Sequence, residues 1–135
     1  MDARIFKPAK PATQSGRFRT RLWVVEHEPR GRQEADRLIE SAREPDLVAL
    51  HALGEKISRI RDGLSLYGGF LVEALVSRVR AQARAGQNAE GWARLAARLE
   101  ELFARADGLN LEPRQTVLSA ARMIAGTARR TGSIS

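Results

Sequence analysis

The sequence predicts an all-α protein: a four- to five-helix antiparallel bundle preceded by an extended, partly β-strand N-terminal segment. From Glu34 onward, apolar residues recur every three or four positions, the spacing of one face of an α-helix. Short polar connections separate these stretches, and short connections join antiparallel helices. Before Glu34, residues 10–29 (KPATQSGRFRTRLWVVEHEP) are basic and end in a single alternating stretch. No later segment resembles a partner strand.

The N-terminal segment is predicted to be extended because Pro8, Pro11 and Gly16 interrupt any helical period. The alternating stretch RLWVVEHEP ends at Pro29, and PRGRQ is interpreted as a break before the first helix. We therefore divide the chain into a basic extended leader, residues 1–30, and a helical bundle, residues 31–135.

Capping and helix-breaking residues set the expected helix boundaries. Pro45 suits a first helical turn, because the N–H groups of that turn make no hydrogen bond within the helix and proline has none. Asp62 and Asn88 are the expected caps of the third and fourth helices. Gly108 is expected to stop the fourth helix, and Pro113 to open the fifth. The predicted ranges are 34–43, 45–60, 64–85, 89–107 and 113–132.

Several side chains on these helices are assigned to the core. His51 lies among the apolar residues of the second helix and is predicted to be packed. Gly68 and Gly69 disfavour a helix by about 1 kcal/mol each relative to alanine, so a close backbone contact is expected there. The aromatic residues on the apolar stripes are predicted to be core residues, not platforms for stacked bases. They are Tyr67, Phe70, Trp92 and Phe103.

Composition excludes several kinds of site. There is no cysteine, so disulfides, thiolate nucleophiles and cysteine-bound metals are absent. His27 and His51 lie in different segments and make a poor metal site. No phosphate-binding glycine loop and no GxSxG motif occurs. Glu100 and Glu101 are adjacent on a helix and diverge, unlike a converging acid–base pair. We expect no enzymatic activity and no cofactor.

The net charge of +7 suits a nucleic acid or an acidic partner. A GC-rich genome, whose codons favour arginine over lysine, would also explain 20 arginines against 3 lysines. Arg94, Arg98 and Arg105 share one side of the fourth helix, where a nucleic-acid groove is conceivable. Acidic residues interleave with them, which favours a solvated face with ion pairs between successive turns. Direct nucleic-acid binding is therefore not expected. Arg78 and Arg84 lie on the third helix, and the interleaved acids are Glu90, Glu100, Glu101 and Asp107.

The leader resembles the start of a small accessory subunit of respiratory complex I, the iron–sulfur protein 4 type. The family pattern runs Ala-Arg-Ile-aromatic, Pro-Ala-Lys, Gln-Ser-Gly, a Thr, a Trp and a final Glu-Pro. The matching residues are Ala3, Arg4, Ile5, Phe6, Pro8, Ala9, Lys10, Gln14, Ser15, Gly16, Thr20, Trp23, Glu28 and Pro29. The resemblance implies docking on complex I through Gln14, Ser15, Gly16 and Trp23. The family's later strands have no counterpart here.

Residues 40–135 resemble the C-terminal collar domain of the delta-prime subunit of the bacterial DNA polymerase III clamp loader. The most telling stretch is ARADGLNLEPRQTVLSA, a helix end, a Gly-Leu-Asn-Leu connection and a final helix. The resemblance implies a domain that packs against other clamp-loader subunits in DNA replication. The family's ATPase-like modules are absent, so no nucleotide-dependent role is implied. Contacts are expected on the fourth and fifth helices, through Arg94, Arg98, Arg105, Arg114 and Arg122.

The two resemblances meet at a seam between Pro29 and Glu44. A natural fusion, a gene-prediction artefact and a constructed chimera would each produce such a join. The expected partners are other clamp-loader subunits through the bundle, or complex I subunits through residues 1–30. No apolar run approaches the length of a membrane span, so membrane insertion is not expected. A cytoplasmic location is the expectation.

Overall fold

The structure is a computed structural model that describes residues 30–134. Within that range it is all-helical, with five α-helices and no β-strand. The first helix, α1, occupies residues 30–40 of the described part. The other four are α2 (Leu47–Ser58), α3 (Gly63–Arg84), α4 (Glu90–Gly108) and α5 (Pro113–Thr131). The all-α prediction is confirmed here, whereas the predicted strand RLWVVEHEP lies outside the described residues.

The chain runs up and down through the bundle. Gly68 near the start of α3 packs on Phe103 near the end of α4, so these two helices are antiparallel. The start of α4 likewise lies beside the end of α5, where Gly91 contacts Thr131. α3 packs most extensively on α4, and α2 packs mainly on α5. The predicted antiparallel arrangement therefore holds for these neighbours.

α1 lies along α3 and is tied to it by ion pairs. Arg78 on α3 reaches Asp36 at 2.9 Å and Glu40 at 3.5 Å, and its own side chain is only 16% exposed. Residues 30–33 are helical, so the break predicted at PRGRQ is wrong for these residues. Gly31 continues the helix because its bare backbone lies directly against the ring of Phe70, where a side chain would not fit.

Two of the predicted caps differ in detail. α2 is capped by Asp46, whose carboxylate accepts hydrogen bonds from two backbone N–H groups of the first turn. Pro45 precedes that cap and lies outside the helix, contrary to the prediction. Asp62 does precede α3, but it adopts a left-handed backbone conformation (φ 58°) and makes no side-chain capping bond. The N-cap of α4 is Ala89, not Asn88 as predicted, although the Asn88 side chain one residue earlier accepts from the Glu90 N–H at 3.0 Å.

A single apolar core runs through all five helices. Its fully buried side chains include Leu71, Leu75, Leu95, Leu99 and Ile124. Tyr67, Phe70, Trp92 and Phe103 are buried, as predicted, and Tyr67 meets Phe103 edge-on with ring centroids 6.3 Å apart. The segment after α5 adds to the core, because Ile134 is buried and the Trp92 indole donates to the Gly132 carbonyl.

Candidate protein-binding surfaces

The side of α4 next to α5 carries an arginine stripe, formed by Arg94, Arg98 and Arg105, all exposed. Gly91 lies seven residues before Arg98, on the same side of the helix, and it contacts Thr131 of α5. The arginine stripe therefore lies next to the contact between α4 and α5. The predicted grouping of these three arginines holds.

Among the acidic residues of α4, only Glu90 forms an ion pair with the arginine stripe. Arg94 forms an ion pair of 3.1 Å with Glu90, which lies four residues earlier, one helical turn away. Arg98 and Arg105 form no ion pair with any residue of the described range, although Glu101 lies one turn from each. The expected solvated face is present, and the expected ion pair between successive turns forms at one arginine of three. Two guanidinium groups remain available to a partner.

The neighbouring helix adds no negative charge. α5 contains four arginines and no aspartate or glutamate. Apolar groups also follow the stripe: Leu102 is half-buried between Arg98 and Arg105, and Leu109 at the end of α4 is 65% exposed. Arginine beside accessible leucine is typical of protein interfaces, where arginine is enriched and other charges are depleted. Sequence reasoning placed the arginines here but did not find Leu109.

Arg114 lies apart from the arginine stripe and packs against α2. Its backbone and side chain cover Gly54 of α2, where an added Cβ would come within 2.7 Å of the Arg114 Cα. Its guanidinium pairs with Glu112 at 3.3 Å and with Glu55 at 3.8 Å. Desolvation would raise the pKa of Glu112, but hydrogen bonds from Arg114 outweigh it and lower the pKa.

Arg122 is exposed on α5 but does not join the arginine stripe. Thr127 and Thr131 are one turn apart on the α5 side that meets α4, and the Arg122 position is rotated well away from that side. Of the five arginines assigned to partner binding, three therefore form the arginine stripe, and Arg114 and Arg122 lie apart from it. The four N-terminal residues assigned to docking, Gln14, Ser15, Gly16 and Trp23, lie outside the described residues.

His51 is exposed on α2, so its predicted packing is wrong. The helix buries Leu50, Leu53, Gly54 and Ile57 instead, and His51 lies just off that stripe. Leu47 and Val48 in the first turn are also exposed, at 65% and 79%. The first turn of α2 therefore projects beyond the core.

A cleft opens between α1, α2 and α3, with a volume of about 320 Å³. The Glu34–Lys56 ion pair, 3.1 Å long, lies at its rim. Tyr67 on its wall is buried, and its hydroxyl has no hydrogen-bond partner. Burial, and then the charge of Glu34, raise the pKa of this phenol, so it stays protonated at neutral pH. The cleft's apolar wall is formed by Leu53, Ile57, Ile60 and Phe70.

A larger, shallower groove of about 790 Å³ follows the outer side of the α3–α4 pair. Gly69 leaves its floor open, since a Cβ there would meet nothing within 4 Å. Glu100 and Asp107 on α4 and Arg80 on α3 line its sides. The close contact predicted for the Gly68–Gly69 pair occurs at Gly68, against Phe103, and not at Gly69.

Two further properties concern residues 30–134 alone. No cluster of histidine, cysteine, aspartate or glutamate in that range is arranged to hold a metal ion. None of its helices is both long enough and apolar enough to cross a bilayer.

Comparison with known proteins adds no relative. No protein-family model, no curated protein and no solved structure matches the chain. The two family resemblances therefore stay predictions from sequence.

Proposed function

We propose that the chain is a non-catalytic protein–protein interaction module that contributes to clamp-loader assembly in DNA replication. The collar resemblance of residues 40–135 suggests this role, and a five-helix bundle is compatible with it. Helical bundles bind other helical proteins by packing exposed ridges into a partner's grooves.

The observation that carries the proposal is the arginine stripe. Arg98 and Arg105 are exposed, have no ion-pair partner in the described range, and flank a half-buried leucine. A partner helix with carboxylates could pair with both guanidinium groups, and arginine forms such paired contacts readily. Leu102 and Leu109 would supply the apolar contact that such an interface needs.

The test is affinity capture of the tagged full-length chain from its own cells, with co-purifying proteins identified by mass spectrometry. We expect clamp-loader subunits in the captured material. Arg98→Glu should reduce their recovery strongly, because it reverses the charge at the centre of the arginine stripe. Arg43→Glu is the matched control, since Arg43 is also exposed but lies in the α1–α2 connection. Equal recovery with both variants would rule out the arginine stripe as the contact surface.

A second candidate is an accessory role in respiratory complex I, with docking through the N-terminal segment. The ordered match from Ala3 to Pro29 favours it. Deleting residues 1–29 separates the two proposals. The clamp-loader proposal expects the truncated chain to keep its partners, and the complex I proposal expects all of them to be lost. Recovery of complex I subunits by the full chain, unaffected by Arg98→Glu, would replace the first proposal with the second.

A further inference from the structure

The α1–α2–α3 cleft combines an apolar wall with one unsatisfied polar group. Ile57, Ile60 and Phe70 form part of the wall, and the Tyr67 hydroxyl is buried without a partner. Buried hydroxyl groups in folded proteins almost always have a hydrogen-bond partner. The cleft therefore suits an occupant that brings both apolar surface and a hydrogen-bonding group.

Tyr67 forms part of the wall of the cleft. The ring of Tyr67 packs edge-on against Phe103 on α4, and the carboxylate of Glu34 on α1 is close enough to raise the pKa of the phenol. Tyr67, which carries the unsatisfied hydroxyl, and Glu34 both line the cleft. An occupant seated there would contact the Tyr67 side chain.

The described chain begins at this cleft. Arg30 and Gly31, its first two residues, both line the opening. Residues 22–25 (LWVV) precede them by only a few positions and are the longest apolar run in the first 29 residues. Each residue spans at most about 3.6 Å, so this run is tethered within about 30 Å of the cleft. Such a tether gives the segment a high effective concentration there.

We propose that residues 22–25 of the same chain bind in the α1–α2–α3 cleft, with the indole of Trp23 against Phe70 and Ile57. The segment's backbone or the indole N–H then supplies the missing partner of the Tyr67 hydroxyl. An occupant without polar groups would leave that hydroxyl unsatisfied. This assignment is independent of the proposed clamp-loader role, which uses the opposite, α4–α5, side of the bundle.

The test uses the full chain with both tryptophans replaced biosynthetically by fluorotryptophan and observed by fluorine NMR. The sequence contains two tryptophans, so Trp23→Phe assigns the signals. Trp92 is buried and reports that the bundle is folded. A soluble paramagnetic agent then measures how accessible each indole is to solvent. We expect both signals to be protected in the unaltered chain.

Ile60→Asp places a charge on the cleft wall and should make the Trp23 signal several-fold more sensitive to the agent, with Trp92 unchanged. Val48→Asp is the matched control, because Val48 is apolar, 79% exposed and remote from the cleft. The proposal is overturned if Trp23 in the unaltered chain is as accessible as in denaturant, or if Ile60→Asp leaves it protected. Protection that disappears on dilution would place the segment on a second copy, and this too would overturn the proposal.

Discussion

Two adjacent glycines of α3 should respond in opposite ways to the same substitution. At Gly69 an added methyl group meets nothing within 4 Å, so Gly69→Ala changes only the backbone preference. Alanine in a helix is favoured over glycine by about 0.5–1 kcal/mol, and Gly69→Ala should stabilise the protein by that amount. At Gly68 the new Cβ would lie 2.5 Å from Cγ and 2.8 Å from Cβ of Phe103. These atoms are the root of the ring and cannot swing away.

Overpacking of this kind costs roughly 1–3 kcal/mol, which exceeds the helix-propensity gain of about 1 kcal/mol. Gly68→Ala should therefore destabilise the protein, by up to about 2 kcal/mol, and separate the two variants by about 2 kcal/mol. Urea unfolding followed by circular dichroism measures both free energies. Phe103→Leu in the Gly68→Ala background should recover part of the loss. If Gly68→Ala proves as stabilising as Gly69→Ala, the close α3–α4 approach described above is wrong.

Three further predictions concern stability and use the same urea assay. Arg78→Ala should destabilise the protein by about 1–2 kcal/mol, because it removes a largely buried guanidinium from two carboxylates of α1. Arg94→Ala removes only an exposed ion pair and should destabilise it by less than about 0.5 kcal/mol. Equal losses would mean that the Arg78 ion pairs do not hold α1 against α3. Asp46→Ala should cost about 1 kcal/mol through the lost cap of α2, and Asp46→Asn, which keeps an acceptor oxygen, should be nearly neutral. The pKa of Tyr67 is raised in the folded protein, so its phenol ionises first in the unfolded chain. The free energy of unfolding should therefore be unaffected by Tyr67 below pH 10 and should fall above it, by up to about 1.4 kcal/mol per pH unit. Tyr67→Phe should abolish that fall, and a persisting fall would point to the lysines.

The helices were predictable from sequence because their boundaries depend on local chemistry. The apolar periods of α3, α4 and α5 predicted ranges within one residue of those observed. The start of α2 was placed two residues early, because Asp46 and not Pro45 sets it, and the start of α1 was placed too late. Gly31 reads as a helix breaker, yet it continues α1 because its bare backbone fits the ring of Phe70, a contact that no local pattern encodes.

The candidate surfaces were less predictable. The spacing of Arg94, Arg98 and Arg105 places them on one side of α4 in any helix, so the stripe followed from the sequence. The separation of Arg114 and Arg122 from it depends on which sides of α5 meet α2 and α4, and a single helix cannot reveal this. The exposure of His51 had the same origin: its neighbours are apolar, but the buried arc of α2 is narrow and passes beside it.

The pairing of α2 with α5 has a consequence for how the chain folds during synthesis. α2 finds its main packing partner in the last helix of the bundle, and Gly54 is covered by Arg114. While the chain emerges from the ribosome, α2 can pack on α3 but lacks its most extensive contact until α5 has also been made. The core is therefore complete only when α5 has been made, and fragments that lack α5 should expose the side of α2 around Gly54 to chaperones.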